Sequence, residues 1–275
     1  RPGQGTPACF LNAQARLIAH MNVLCFDQFL WLGLDYPLKD KLSEALNKTI
    51  ISEEAEVLDR SDELKLISVH GPRAKELIEV LFHHEAPLDL LSHFRATLNG
   101  VSAVFIRVNL IGETGYGLLI PKNNAALFHT ALEQKGEPFQ MVSVQPDTLE
   151  ILRIEAGIPR YGIDFDESHL PLEAGLDRSV SFQKGCFPGQ EILARLDSRG
   201  GVSKKLCGIV LQGDTVPKKN DRVTKDGIEV GSVTSGAFSP TLKKPIAIGY
   251  LKRGCWEPGS PVVVETEKGN FQARV

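Results

Sequence analysis

Lys184-Gly185-Cys186-Phe187-Pro188-Gly189-Gln190-Glu191-Ile192-Leu193-Ala194-Arg195 is the stretch that orders the rest of the chain. The spacing predicts a short helix over 188–199, ended by Gly200-Gly201. Cys186 then lies just before a helix N-terminus, where free N–H groups and the dipole favour a thiolate. Lys184 and Arg195 add positive charge if they fold toward it. Gly185 and Gly189 permit a tight bend or close approach of a ligand. Gln190 follows the bend, and Glu191 occupies the first turn, where a carboxylate is favourable. The same residues also read as a plain loop with a small packed cysteine, since free cysteines are usually packing residues.

On the C-terminal side of this stretch the sequence turns all-β. Short apolar or alternating runs cover 206–211, 222–225, 230–234, 246–251 and 262–265. Lys225-Asp226-Gly227 and Lys268-Gly269-Asn270 punctuate them as turns, a pattern that suits a small barrel or sandwich. On the N-terminal side the periodicity is mixed. Strands are expected at 8–11, 17–34, 64–69, 101–109 and 116–120, the last two flanking Gly112-Glu113-Thr114-Gly115. Helices are expected at 37–47, 72–82, 123–134 and 146–155, with Pro72 at a first helical position and Asn123 as a cap. Residues 157–183 read as irregular, rich in Pro, Gly and Asp.

The chain has 275 residues, 42% of them hydrophobic and 24% charged, with a net charge of −3. That composition excludes a disordered or collagen-like chain. No apolar run reaches the ~18 residues of a membrane helix, so no membrane partner is expected. Without a basic surplus, no direct nucleic-acid partner is expected either. The five cysteines are Cys9, Cys25, Cys186, Cys207 and Cys255. Their odd number and spacing argue against a disulfide framework and a structural zinc site, and point to a reducing compartment. The chain starts at Arg1 and runs at once into Pro2-Gly3-Gln4-Gly5, as if a domain began upstream.

The motif K-G-C-[FY]-x-G-Q-E-x-x-[AS]-R, present in full at 184–195, resembles the signature of the YgfZ/GcvT-like folate-binding proteins, which include an iron–sulfur cluster assembly branch. Leu152-Arg153-Ile154-Glu155-Ala156-Gly157-Ile158-Pro159-Arg160-Tyr161-Gly162 resembles the R-x-E-x-G-x-P-x-x-G segment shared with the glycine-cleavage T-protein. Leu170-Pro171-Leu172-Glu173-Ala174-Gly175 fits the next family segment. The resemblance implies an α+β ring of three domains around tetrahydrofolate, with two mixed domains and a C-terminal β-barrel. The implied first domain joins 1–60 to 141–203 and lacks its N-terminal part; 61–140 form the second and 204–275 the third. The folate-binding residues it implies are Asn12, Tyr116, Arg153 and Glu155. An arginine fork can hold the folate carboxylates, and a glutamate can accept from the pterin N–H groups. A surface pair is the plain alternative for Arg153 and Glu155, although positions i and i+2 do not share a helix face.

Two departures bear on function. Where the T-protein carries an acidic pair after N-x-x-G-G-I-x, this chain has Ala19 and His20. Where its G-E-x-G-Y-E motif ends in a pterin-contacting glutamate, this chain has Gly117. The leading expectation is therefore a tetrahydrofolate-binding accessory protein for iron–sulfur enzymes and tRNA modification, with Cys186 and Lys184 as its reactive centre. Its partners would be iron–sulfur client or assembly proteins. Its place would be the cytoplasm of a bacterium or the mitochondrial matrix of a eukaryote. The rival is a folate-dependent aminomethyl or methyl transferase; a pocket that binds nothing is the third reading. One exposed thiol cannot hold a cluster alone, and no stably bound metal is expected. His83-His84 reads as a solvated helix end, Lys218-Lys219 and Lys243-Lys244 as exposed turns, and Cys9, Cys25 and Cys207 as core. Phe26, Phe29, Leu30, Trp31 and Leu32 read as core strand.

Overall fold

The computed structural model describes residues 1–198 and 200–275. The chain divides into two compact units, Arg1–Ala8 with Ala19–Val144, and Cys9–Ile18 with Gln145–Val275. The division runs through the first hairpin, made of β1 (Gly5–Leu11) and β2 (Leu17–Cys25). β3 (Leu30–Leu34) completes a three-stranded sheet in the order β1-β2-β3. One continuous strand over 17–34 was the expectation. It is broken instead by a turn in which Phe26 N donates to Phe29 O, and Phe29 and Leu30 are exposed rather than core. Period-2 apolar patterning does not register a turn built from aromatic residues.

In the first unit, α1 (Lys39–Thr49) follows a single 3₁₀ turn. β4 (Leu64–His70), α2 (Ala74–Phe82), β5 (His93–Leu98), β6 (Val101–Val108) and β7 (Gly115–Pro121) come next, followed by α3 (Ala125–Gly136). The four strands form an antiparallel sheet in the order β4-β7-β6-β5. Both faces of this sheet are covered. Phe105, Leu118 and Ile120 pack with Leu77, Ile78 and Leu81 of α2 and Phe128 and Leu132 of α3. On the opposite face Val104, Ile106 and Val108 meet Leu24, Phe26 and Trp31. Burial of large side chains on both faces supplies most of the stabilisation, at ~25 cal/mol per Å² of apolar surface. β5 was not foreseen, because His93 and Arg95 interrupt its apolar pattern.

The second unit holds α4 (Pro146–Glu155), α5 (Gln190–Ser198) and six strands. These are β8 (Lys204–Leu211), β9 (Arg222–Lys225), β10 (Ile228–Ser239), β11 (Lys244–Lys252), β12 (Pro261–Thr266) and β13 (Gly269–Arg274). They close into a barrel in the order β10-β11-β8-β13-β12-β9, so no edge is left unpaired. The barrel's interior is filled by side chains such as Ile209, Leu211, Val223, Leu251 and Val264. Its outer face carries Ile246 and Ile248, which pack with Ile154 of α4. The expected barrel is present, with β13 added and β10 running longer than the sequence suggested. α5 begins two residues later than expected, because Pro188 and Gly189 form the turn that precedes it; the expected helix end at Arg199 lies outside the described residues.

Candidate functional site

The loop 184–189 is seated within the second unit on the tip of the first hairpin. Gly189 has φ +80°, and a Cβ on it would lie 2.6 Å from Ala15 Cα. A side chain is thus excluded there both by conformation and by space. Phe187 N donates to Gln190 Oε1 at 3.2 Å, which fixes the loop at the start of α5. Phe187 and Leu193 join Leu11, Ala15 and Leu17 in one apolar cluster. The hairpin tip is held by Asn12, whose Oδ1 accepts from Gln14 N and Arg16 N, each at 2.9 Å. Two segments far apart in sequence, the Asn12 tip and the cysteine loop, therefore come together.

Cys186 is exposed, whereas the other four cysteines are partly buried. Burial pushes the Cys9 thiol up to about 12 and the Cys207 thiol up to about 11. Lys184 Nζ lies 5.0 Å from the centre of the Phe187 ring, so the lysine caps an aromatic face. Gly185 has open space where a Cβ would be. Glu191 and Arg195 are exposed on α5.

Arg153 and Glu155 form a clasp between α4 and the barrel. Arg153 is 5% exposed and Asp164 1%. Arg153 Nε donates to Glu150 Oε2 at 2.8 Å, and one Nη2 hydrogen goes to Glu150 Oε1. Nη1 donates to Ile158 O at 3.0 Å and to Asp164 Oδ2 at 2.8 Å, and Nη2 to Ser235 Oγ at 2.9 Å. A guanidinium has five N–H donors, and all five are committed. Asp164 in turn accepts from Arg160 N, Thr234 Oγ1 and Ser235 Oγ. Glu155 accepts from Ser239 Oγ, Thr241 N and Thr241 Oγ1. The fork expected to hold a ligand's carboxylates holds Glu150 and Asp164 instead. The sequence pointed to Arg153 and Glu155 but gave no sign of Asp164, Thr234 or Ser235, which complete the network.

In the first unit, Tyr116 is fully buried in β7 and its hydroxyl donates to Pro87 O at 2.9 Å. Gly117 beside it is closed in: a Cβ there would lie 3.0 Å from Leu66 Cδ1. On β2, Ala19 is fully buried, and burial lowers the pKa of His20 against the opposing charge of Asp35. The imidazole is therefore a neutral base at neutral pH. His83 caps α2 in a left-handed conformation, and His84 stacks on Phe94, as suits a helix end. Among the described residues no group of three or more His, Cys, Asp or Glu is placed to hold a metal ion. No helix among them is long and apolar enough to cross a membrane.

Residues 1–184 match the family model of the GCVT N-terminal domain, and 204–275 match that of the glycine cleavage T-protein C-terminal barrel domain. An aminomethyltransferase of Halothermothrix orenii is 32% identical over 216 residues, covering 78% of this chain and 60% of that protein. One from Symbiobacterium thermophilum is 34% identical over 227 residues, with 80% and 60% covered. One from Streptomyces coelicolor is 33% identical over 235 residues, with 83% and 63% covered. The chain thus spans about three fifths of the length of these relatives. In fold it is similar to the crystal structure of the glycine cleavage system aminomethyltransferase T from Bartonella henselae. The TM-score is 0.86 at 21% identity, over 100% of this chain and 75% of that one.

Proposed function

This chain belongs to the glycine cleavage T-protein family, and on that premise we propose that it is a tetrahydrofolate-dependent one-carbon transferase of the aminomethyltransferase type. The observation that carries the reading is the likeness, over about four fifths of the chain, to proteins named aminomethyltransferase. This moves the weight away from the iron–sulfur accessory role that the cysteine motif suggested. The division into 1–60 with 141–203, 61–140 and 204–275 belongs to the same reading. Its support is the barrel family match over 204–275.

His20 is assigned the proton-handling role at the place of the T-protein's acidic pair. A neutral imidazole can accept a proton there where Ala19 cannot. Folate contact through a glutamate at 117 or through Arg153 has no support in the structure, because Gly117 carries no side chain and internal partners saturate the guanidinium. Folate binding is accordingly expected to be weaker than in a T-protein that has its glutamate.

One observation favours a second reading. Ala19 and His20 provide no carboxylate, and Cys186 stands exposed on a loop whose Gly189 end packs on Ala15. A folate-binding accessory protein that meets iron–sulfur client proteins through Cys186 would fit both features. Titrating tetrahydrofolate into the protein by calorimetry tests what the two readings share. Binding heat with protection against thermal unfolding is expected, and their absence would remove both. Cells lacking the native protein then separate them: their iron–sulfur enzyme activity is unchanged under the transferase reading, whereas under the accessory reading it is lost and the Cys186→Ser variant fails to restore it.

A further inference from the structure

Beside the barrel, within the second unit, a cleft of ≈ 340 Å³ opens between the 162–169 segment and the outer face of β10 and β11. Along β11, Ala247 and Leu251 point into the barrel, and Ile248 lies on the outside. Alternation then carries Tyr250 and Lys252 to the outer face, where they line the cleft. Three features there lack an internal explanation.

Lys252 pairs directly with Lys204 in the β11–β8 register, two like charges facing each other across adjacent strands. Such a pair is destabilising unless something of opposite charge sits near it. Lys219 stands on the opposite lip, its Nζ donating to Ile163 O at 3.3 Å. Lys252 Nζ donates to Glu229 O at 3.0 Å, and Lys204 Nζ lies 4.9 Å above the Tyr250 ring. Among the described residues, none of the three lysines has a carboxylate within ion-pair distance.

The acids that line the cleft are engaged elsewhere. Asp164 is saturated by the α4 clasp, Asp166 engages Ser168 and His169 through Oδ1, and Glu229 faces Arg222 at 4.0 Å. Tyr250 itself is 7% exposed, and its hydroxyl is buried without a hydrogen-bond partner. Native structures rarely leave such a group unpaired. The His169 ring stacks on Tyr250, with centroids 4.7 Å apart, while its Nδ1 is held by Asp166 at 2.9 Å. The phenol ring is therefore contacted by both an imidazole and an ammonium.

We propose that this cleft binds a small multivalent anion, a phosphate ester or a polycarboxylate, held by Lys204, Lys252 and Lys219 with the Tyr250 hydroxyl as donor. The inference goes beyond one-carbon transfer and does not depend on it. The cleft's size suits a compact molecule; its lining acids Asp164, Asp166 and Glu229 each have a basic partner in Arg153, His169 and Arg222, whereas its three lysines have no carboxylate partner among the described residues, so the unpaired charge on the lip is positive. Burial, followed by the charges of Glu173, Asp164 and Asp166, keeps the phenol protonated and able to donate.

The test is thermal unfolding of the whole chain in sodium phosphate, in sodium citrate and in sodium chloride of matched ionic strength. Phosphate or citrate should raise the midpoint saturably where chloride does not; a response to phosphate alone assigns a phosphate ester, and to citrate alone a polycarboxylate. The K204Q/K252Q double variant should weaken the apparent affinity about tenfold or more, as expected for loss of charge-assisted hydrogen bonds. Tyr250→Phe should weaken it several-fold without lowering the midpoint in chloride, since the hydroxyl has no partner to lose. Lys219→Gln, a surface change, provides a variant whose folding is not in question. The proposal is overturned if neither anion exceeds chloride, or if all three variants respond as the parent does.

Discussion

Arg153 Nη1 donates to Asp164 Oδ2 at 2.8 Å, with both side chains buried, and this pair ties α4 to the barrel strand that carries Thr234 and Ser235. The R-x-E-x-G-x-P-x-x-G segment thus acts as a structural clasp. Gly157, at φ +67°, ends α4, and Ile158 N bonds back to Arg153 O, which turns the chain so that Asp164 can return to the guanidinium.

Breaking that pair should unfold the unit. Arg153→Ala leaves Asp164 buried and uncompensated, a loss of about 3–5 kcal/mol. Arg153→Lys should recover only part of it, because three donors replace five. Urea midpoints of the three proteins check this. A loss below about 1 kcal/mol for the alanine variant, the range of ordinary substitutions, would show that the clasp is dispensable.

Two glycines in one motif should behave differently. Gly189→Ala forces a side chain into a positive-φ position against Ala15 and should cost about 1–3 kcal/mol. Gly185 has open space at its Cβ position, so Gly185→Ala should change stability by less than about 0.5 kcal/mol. Equal losses in the two variants would contradict the packing described for the loop.

The cysteines should differ in reactivity. At pH 8, alkylation followed by mass spectrometry should modify Cys186 at least about tenfold faster than Cys9 or Cys207, whose thiols are pushed up by burial. In denaturant the three rates should converge. Native rates that were already equal would make Cys186 a packing residue like the rest.

Much of the fold was legible because its signals are local. The α4 boundaries Pro146 and Glu155 follow from a helix-starting proline and the Ala156-Gly157 stop, and the barrel from short runs between Gly- and Asn-bearing turns. The break at Phe26–Phe29 was not legible, since aromatic turn residues imitate strand. At the candidate site the sequence supplied the exposed Cys186 and its bend. It could not show that Arg153 spends its five donors internally, because Asp164 and Ser235 reach it only through tertiary folding. It gave no hint of Tyr250 and the lysines around it, whose juxtaposition depends on the β8–β11 register.

Stability should fall as the solution is acidified from about pH 7 to pH 5. Burial lowers the pKa of His20, and burial followed by the Arg107 charge lowers that of His70. Their unfolded value is about 6.5. Between that value and the lower folded one, the unfolded chain binds more protons, so stability increases with pH across this window and levels off below it. His70→Asn and His20→Asn should each flatten the urea midpoint between pH 7 and 5. Retention of the parent's full slope in both variants would assign the acid sensitivity to other groups.

The most direct test of the one-carbon reading is a glycine-cleavage assay with a lipoyl carrier protein, in which this protein replaces the aminomethyltransferase. The account predicts turnover that requires added tetrahydrofolate, falls by about 10²-fold or more in His20→Ala, the scale of a lost general base, and persists in Cys186→Ser. No turnover above the reaction lacking the protein, with tetrahydrofolate present, would contradict it.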